Sequence, residues 1–334
     1  MKTLHAKSPC CRGRIIRYGR RRRQCVTCKK TWRIREKRRG RKSKRVPPNF
    51  FLKYLNQEIP SLYVLARTKK TKSEDRLKRE LRCGLKKFLR HTPWPILPTG
   101  KPLIAVADAM IQTINKKMYT FYFILLRTIE DNKAIIAKPY VKQGPESWLG
   151  WQEAFNQLPG PVLGSILALV SDGHTGLISA AKRNNWIIQR CHFHLIAKIQ
   201  GRRSRWTRSR HREIGQRLYF LAREVLTNSD EKVIQKYLKE LTIIEDYTSS
   251  RLLKTYLSGF IRYYKEYRTY LYHPELNLPT TSNSVESIIG SIRKLCHRAH
   301  GFRTIESLIL WTHALLKNKK FATCNGKLPT KLMP

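Results

Sequence analysis

Two short apolar runs, each closed by an aspartate, constrain this chain more than any of its other features. Leu103-Ile104-Ala105-Val106-Ala107 ends on Asp108, and Ile166-Leu167-Ala168-Leu169-Val170-Ser171 ends on Asp172 followed by Gly173. Continuous apolar runs of this length read as strands buried on both faces, the texture of parallel pairs inside an α/β layer. A carboxylate at the mouth of such a strand gives up hydration, and it needs a cation, a helix N-terminus or a metal to offset the loss. Taken singly, each aspartate also has a plainer reading. Asp172-Gly173 is turn chemistry, and Asp108 has many basic side chains to pair with. The chain has only six aspartates, so two at strand mouths stand out.

The flanking texture agrees with an α/β fold. MYTFYFILLRTI from Met118, KAIIAKPYV from Lys133 and WIIQRCHF from Trp186 read as strands, and ESWLGWQEAFNQL and TGLISAAKRNN as helices. From about 195 to 280 the chain is helical and basic, and includes GRRSRWTRSRHR with Arg202 and Arg203. Three strands in succession, then helix–strand–helix–strand, describe one mixed layer. No run approaches the roughly 18 apolar residues of a membrane span, and the N-terminus has no apolar signal core. The expected setting is cytoplasmic, with no membrane partner.

Charge then limits the partner. Lys and Arg number 68 against 22 acids, a net +46. Such a body repels itself, which excludes an ordinary small-metabolite enzyme and points to a polyanion. The 41% hydrophobic content excludes a disordered histone-like tail. The charge is front-loaded: residues 1–50 hold 20 basic residues against Glu36, whereas residues 101–200 hold 11 against 6 acids. Three segments follow: 1–46, cysteine-bearing and Arg-rich; 47–95, helical; and 96–334, which carries both strand-mouth aspartates. In the second segment FFLKYLNQ, SLYVLARTKK and the basic TKSEDRLKRELRCGLKKFLRH resemble a helix-turn-helix unit.

The first segment resembles a zinc ribbon. Cys25-x-x-Cys28 is a thiolate knuckle, and Cys10 and Cys11 lie upstream in SPCCRGRIIRYG. Two chelating pairs around a hairpin suit a tetrahedral structural zinc in a segment too small for its own core. Ser8 stands where a ribbon of the usual Cys-Pro-x-Cys form has its first ligand. Adjacent cysteines seldom serve one metal, so the set is Cys11, Cys25 and Cys28 with either His5 or Cys10 as the fourth; a ribbon without metal is the alternative. Arg20, Arg21, Arg22, Arg23, Lys29 and Lys30 are the expected nucleic-acid contacts of this segment.

A third acid is ambiguous. Glu286, in TTSNSVESIIGSIRKL, opens a late helix, yet Asn283-x-x-Glu286 is itself a capping box that explains the glutamate without a metal. AVADAM, then LVSDGHTGL with IIQRCHFH behind it, then TTSNSVESIIGSIRKLCHRAHGFRT, together resemble the Mutator-like (MULE) transposases and their bacterial insertion-sequence relatives. The resemblance implies a ribonuclease H-like core with an all-helical insertion, preceded by the ribbon and the helix-turn-helix-like region. It implies a DDE-type transposase that binds transposon ends and catalyses metal-dependent DNA strand cleavage and strand transfer. Asp108, Asp172 and Glu286 take the triad positions and would hold two Mg²⁺ or Mn²⁺ ions. Cys191 and His194 take a Cys-x-x-His element beside the active site. The implied partners are double-stranded DNA and further copies of the chain on that DNA, in a nucleoid-associated setting. A catalytically inactive or domesticated sequence-specific DNA-binding protein on the same scaffold is the alternative, and an RNA-binding or RNA-processing protein a third. His174 and His192 read as ordinary polar residues, and Cys83, Cys296 and Cys324 as structural or exposed thiols.

Overall fold

The computed structural model describes residues 8, 10–18, 22–33, 50–59, 61–62, 74–200 and 212–324. They fall into two compact units, Met1–Pro47 and Pro48–Pro334.

The first unit is a three-stranded antiparallel sheet, β1 (Ile15–Arg17), β2 (Arg22–Cys25) and β3 (Thr31–Arg33), in that order. The knuckle between β2 and β3 is closed by Lys29 N–H on the Cys25 carbonyl (3.0 Å) and Cys25 N–H on the Lys30 carbonyl (3.0 Å). Among its described residues only Ser8 and Cys25 are buried. A sheet with no apolar interior needs a covalent or metal staple to hold its shape.

The second unit is built on a seven-stranded mixed sheet. Its long axis is a hairpin of two twelve-residue strands, β4 (Leu103–Ile114) and β5 (Lys117–Thr128). Asn115 and Lys116 between them both take positive φ (49° and 64°), as a two-residue hairpin turn demands. β6 (Lys133–Ile136) and β7 (Tyr140–Gln143) both pair antiparallel with β5, and β10 (Phe321–Thr323) pairs with β6. On the other side β8 (Ile166–Ser171) and β9 (Ile187–Arg190) add parallel to β4. The stretch KAIIAKPYV, expected as one strand, is two. Ala137-Lys138-Pro139 breaks the ladder, and a proline has no N–H to give it.

Alternation along β4 decides what its two faces meet. Leu103, Ala105 and Ala107 join Tyr122, Trp151, Phe155 and Leu177 in one core, beneath helices α3 (Trp148–Phe155) and α5 (Thr175–Arg183). The short α4 (Gly160–Gly164) leads into β8. Ile104, Val106 and Asp108 therefore point to the opposite face. That face is covered by α11 (Asn283–Arg298), which packs on β4, β5 and β10.

The helical insertion starts earlier than the sequence suggests. The strand expected over 186–193 ends at Arg190, and α6 (His192–Gln200) begins two residues on. His192 N–H is taken by the Thr280 carbonyl (2.8 Å), which turns the chain out of the sheet. Helices α7 (Arg212–Thr227), α8 (Glu231–Tyr247) and α9 (Arg251–Tyr267), with the short α10 (Thr269–Tyr272), complete the insertion around their own core of Leu218, Leu221, Leu241, Leu257 and Phe260. Near the start of the unit, α1 (Phe50–Leu55) and α2 (Glu74–His91) pack with α12 (Ile305–Lys319). Lys317 Nζ donates to the carbonyls of Leu89 and Thr92 (3.3 and 2.6 Å) at the end of α2. Most of the expected middle helix, SLYVLARTKK, lies outside the described residues.

Candidate active site and thiolate cluster

Three side chains from three elements meet on the α11 face of the sheet. Asp108 comes from β4, Glu286 from the first turns of α11, and His194 from the first turn of α6. His194 Nε2 lies 3.2 Å from Glu286 Oε1 and 3.7 Å from Asp108 Oδ2. The three potential ligand atoms lie within 4.8 Å of one another. Asp108 is 8% exposed. Its Oδ1 accepts the Ala109 N–H (2.8 Å), whereas Oδ2 is buried without a hydrogen-bond partner.

This geometry removes the capping-box account of Glu286. The cap position of α11 is Ser282, one residue earlier than Asn283, and its side chain makes no capping bond. Glu286 is then the fourth residue of the helix, and its carboxylate reaches out to His194.

The electrostatics follow from packing three ionisable groups under partial cover. Burial pushes Asp108 up to about 7; His194 opposes that shift, and the negative charges of Asp172 and Glu286 add to it. Glu286 is held below the ordinary carboxylate range, first by its hydrogen bond from His194. Burial works against a charged His194, but Cys191, Glu286 and Asp108 outweigh it and raise the ring to about 11.

Asp172 sits apart from this group. The β4–β8 register pairs Val106 with Val170, so both aspartates lie two residues beyond the last matched pair. Asp172 follows the end of β8 as expected, but Asp108, expected to end its strand, lies mid-strand, because β4 runs on to Ile114 paired with β5. Asp172 Oδ1 is engaged by the His174 N–H (2.8 Å) in a turn through Gly173, whose φ is 88°. Its carboxylate is outside the close group, although its charge acts on Asp108. The packing of α11 on β4 thus brings Asp108 and Glu286 together, and it is His194 that lies between them.

Cys191, fully buried, forms the joint between β9 and α6. Its sulfur accepts from Ser282 N–H (3.2 Å) and from Ser282 Oγ (3.3 Å), and that hydroxyl lies 3.5 Å from His194 Nδ1. Sequence reasoning did not find Ser282; no spacing rule links positions 91 residues apart. Nor did it find Glu146, which accepts from Trp151 Nε1 (2.7 Å) and lies 3.2 Å from His174 Nδ1. His174, expected as an ordinary polar residue, caps α5 by accepting from Gly176 N–H. Arg190 pairs with Glu266 of the insertion (2.5 Å) and lies over the Tyr263 ring (4.1 Å).

His192 also departs from expectation. It is 1% exposed, with Nε2 2.6 Å from the Tyr267 carbonyl, and burial lowers its pKa from 6.5 to about 4. The unfolded chain therefore binds the extra proton between these values, so stability is full above pH 6.5 and is lost progressively as pH falls toward 4. This one ring accounts for about 2 kcal/mol of lost stability between pH 7.5 and 5. Urea titrations at the two pH values, compared with His192→Gln, read it directly; an unchanged pH slope in the variant excludes the assignment.

In the first unit four sulfurs converge. Cys10 and Cys28 Sγ are 3.2 Å apart, Cys11 and Cys25 Sγ 3.2 Å, and Cys10 and Cys11 Sγ 3.9 Å; all four lie within 4.8 Å. Disulfides require about 2.05 Å, whereas four thiolates around one zinc with bonds of about 2.3 Å sit roughly 3.8 Å apart. The adjacent cysteines therefore do face one centre, and of the two alternatives for the fourth position it is Cys10 that lies in the group. A turn with Arg12 at φ 57° lets them approach from different sides. Ser8 Oγ, buried, lies 3.4 Å from Cys10 and 3.7 Å from Cys11. His5 is outside the described residues, as are Arg20, Arg21, Arg202 and Arg203. Arg22, Lys29 and Lys30 are exposed and Arg23 half-buried. Of the remaining cysteines, Cys83 is exposed, Cys296 half-buried and Cys324 buried. No helix of the described residues is long and apolar enough to cross a membrane.

Compared with known families, residues 122–322 match the family model described as "Transposase, Mutator family". The match includes Asp172, Cys191, His194 and Glu286; Asp108 precedes it. No curated protein matches the chain.

Proposed function

The chain belongs to the Mutator family of transposases, and from that premise we propose that it binds transposon-end DNA and catalyses metal-dependent strand cleavage and strand transfer. One observation carries the reading: the buried Oδ2 of Asp108, which has no hydrogen-bond partner and faces Glu286 and His194 from the middle of β4. An orphaned carboxylate oxygen in this setting is costly unless a cation completes it. The donor set suits a divalent ion, since hard carboxylate oxygens come from separate rigid elements. Asp108, Asp172 and Glu286 would hold such ions in a ribonuclease H-like core. Bound there, divalent ions activate the attacking hydroxyl and neutralise the leaving oxygen in phosphoryl transfer.

The chain's own residues do the remaining work. β4 and α11 fix the two carboxylates against each other, and the Asp172 turn is held by its own backbone hydrogen bond. His194, anchored beside Ser282, faces the two carboxylates and the DNA strand they would act on. The sulfurs of Cys10, Cys11, Cys25 and Cys28 would hold zinc and so stiffen a basic ribbon against the DNA backbone. Capture falls to the front end and chemistry to the less basic middle of the chain.

The test is strand transfer on end-bearing duplex DNA with Mg²⁺ or Mn²⁺, wild type beside Asp172→Ala. Wild type cuts and joins; the variant does neither while still shifting the DNA. Equal activity in both would remove the triad from the mechanism. Binding without cleavage in both would favour the non-catalytic DNA-binding reading.

A further inference from the structure

We infer that His194 is itself a ligand of the divalent-ion site, completing one ion's set with Asp108 and Glu286 while Asp172 stays outside that set. The inference rests on the reading of this face as a metal-dependent strand-transfer site. It departs from that reading in which side chains meet one ion.

Four observations support it. First, the ligand atoms already converge. Nε2 lies 3.2 Å from Glu286 Oε1 and 3.7 Å from Asp108 Oδ2. Neighbouring donors around an ion with bonds of about 2.0–2.2 Å sit roughly 3 Å apart. Second, Asp108 is more than nine-tenths buried, and the oxygen it aims into the group has no hydrogen-bond partner. Third, the other ring nitrogen is supported from behind. Nδ1 faces Ser282 Oγ at 3.5 Å, and Ser282 is fully buried against Cys191. Metal-binding imidazoles are oriented in this manner through the nitrogen that does not bind. Ser282 gives up its ordinary capping bond at the head of α11, the helix that carries Glu286. A single hydroxyl thus ties the presentation of Glu286 to that of His194. Fourth, Asp172 spends one carboxylate oxygen on its own turn and does not reach the group.

The plain competing account makes His194 a counter-ion that merely bridges two carboxylates. The two differ in what Mn²⁺ would see. An imidazole nitrogen in the set also favours Mn²⁺ over Mg²⁺, because nitrogen is the softer donor.

The experiment uses the untagged full chain loaded with Mn²⁺ alone, without DNA, and pulsed EPR to detect directly bound ¹⁴N. The expected spectrum shows one coordinated imidazole nitrogen. That coupling disappears in His194→Gln, which preserves side-chain bulk, and persists in Asp172→Asn. Ser282→Ala lowers Mn²⁺ affinity by about tenfold or more, and Ser282→Thr recovers it. Mn²⁺ bound at the site without nitrogen coupling, or coupling that survives His194→Gln, overturns the inference. Asp108→Asn separates the two levels. If it leaves Mn²⁺ binding unchanged, the active-site reading falls as well. If it abolishes binding while His194→Gln leaves affinity and spectrum intact, only the ligand assignment falls.

Discussion

Asp108→Asn is expected to reduce strand transfer by at least about 1,000-fold and, in the same protein, to raise thermal stability in the absence of metal. The two effects have one cause. The carboxylate is buried, its Oδ2 has no hydrogen-bond partner, and its pKa is lifted from 3.8 to about 7. Its folded-state pKa lies above the unfolded value, so stability is full below pH 3.8 and is lost as pH rises through 7. Asparagine keeps the shape and removes the buried charge, so the variant gains on the order of a few kcal/mol at pH 8. Calorimetric melts at pH 5 and pH 8 with chelator present should show the variant's advantage at both, and clearly larger at the higher pH. A variant that melts lower at both would indicate that Asp108 is a structural ion-pair partner of His194 and not a site paid for in stability.

The second large effect concerns the ribbon. Its described residues bury only Ser8 and Cys25, so almost nothing but the sulfur cluster can hold its strands together. Structural zinc contributes about 10–16 kcal/mol of binding free energy in small domains, and that free energy is folding free energy. Cys28→Ser, or treatment with a strong chelator, should therefore unfold this unit completely while the second unit keeps its own melting transition. Affinity for end DNA should fall, and the slope of log affinity against log salt should flatten as the ribbon's phosphate contacts are lost. Metal analysis should give one zinc per chain in wild type and none in the variant. Substitution of Cys10 alone should have the same consequence, because its sulfur lies 3.2 Å from that of Cys28. Full zinc retention in Cys10→Ala would exclude it from the set.

Some of this was legible in the sequence and some was not, for physical reasons that differ by residue. The two aspartates could be found because an unbroken apolar run followed by an acid is rare in a chain so poor in acids. Only Asp172 follows a strand end, however; β4 continues past Asp108 to Ile114 because β5 pairs with it there. Glu286 could not be settled, because Ser282 and Asn283 are both good cap residues and a shift of one decides whether the glutamate closes a box or reaches outward. The start of α6 was misplaced because a hydrogen bond to Thr280, far along the chain, ends the strand; no local propensity encodes that partner. Cys191 and His194 were singled out by the resemblance to Mutator-like transposases, but the Ser282 hydroxyl between them exists only once the insertion has folded back. In the ribbon the general rule against adjacent cysteines left Cys10 and His5 both open as the fourth ligand, because the left-handed residue at Arg12, just after the pair, has no sequence signal.

The bond between His192 N–H and the Thr280 carbonyl has a consequence for how this protein can change over time. The chain departs from the sheet and returns to it at points that touch, so the sheet experiences the whole helical excursion as a closed loop. Closing a longer loop between fixed ends costs only logarithmically more. The excursion can therefore lengthen, shorten or acquire new surfaces with little effect on the carboxylates beneath it. The requirement is that its two ends remain fastened, by this bond and by the neighbouring ones between Ser282 and Cys191. Diversity among related chains should accordingly gather inside the excursion, and constancy at its clasp.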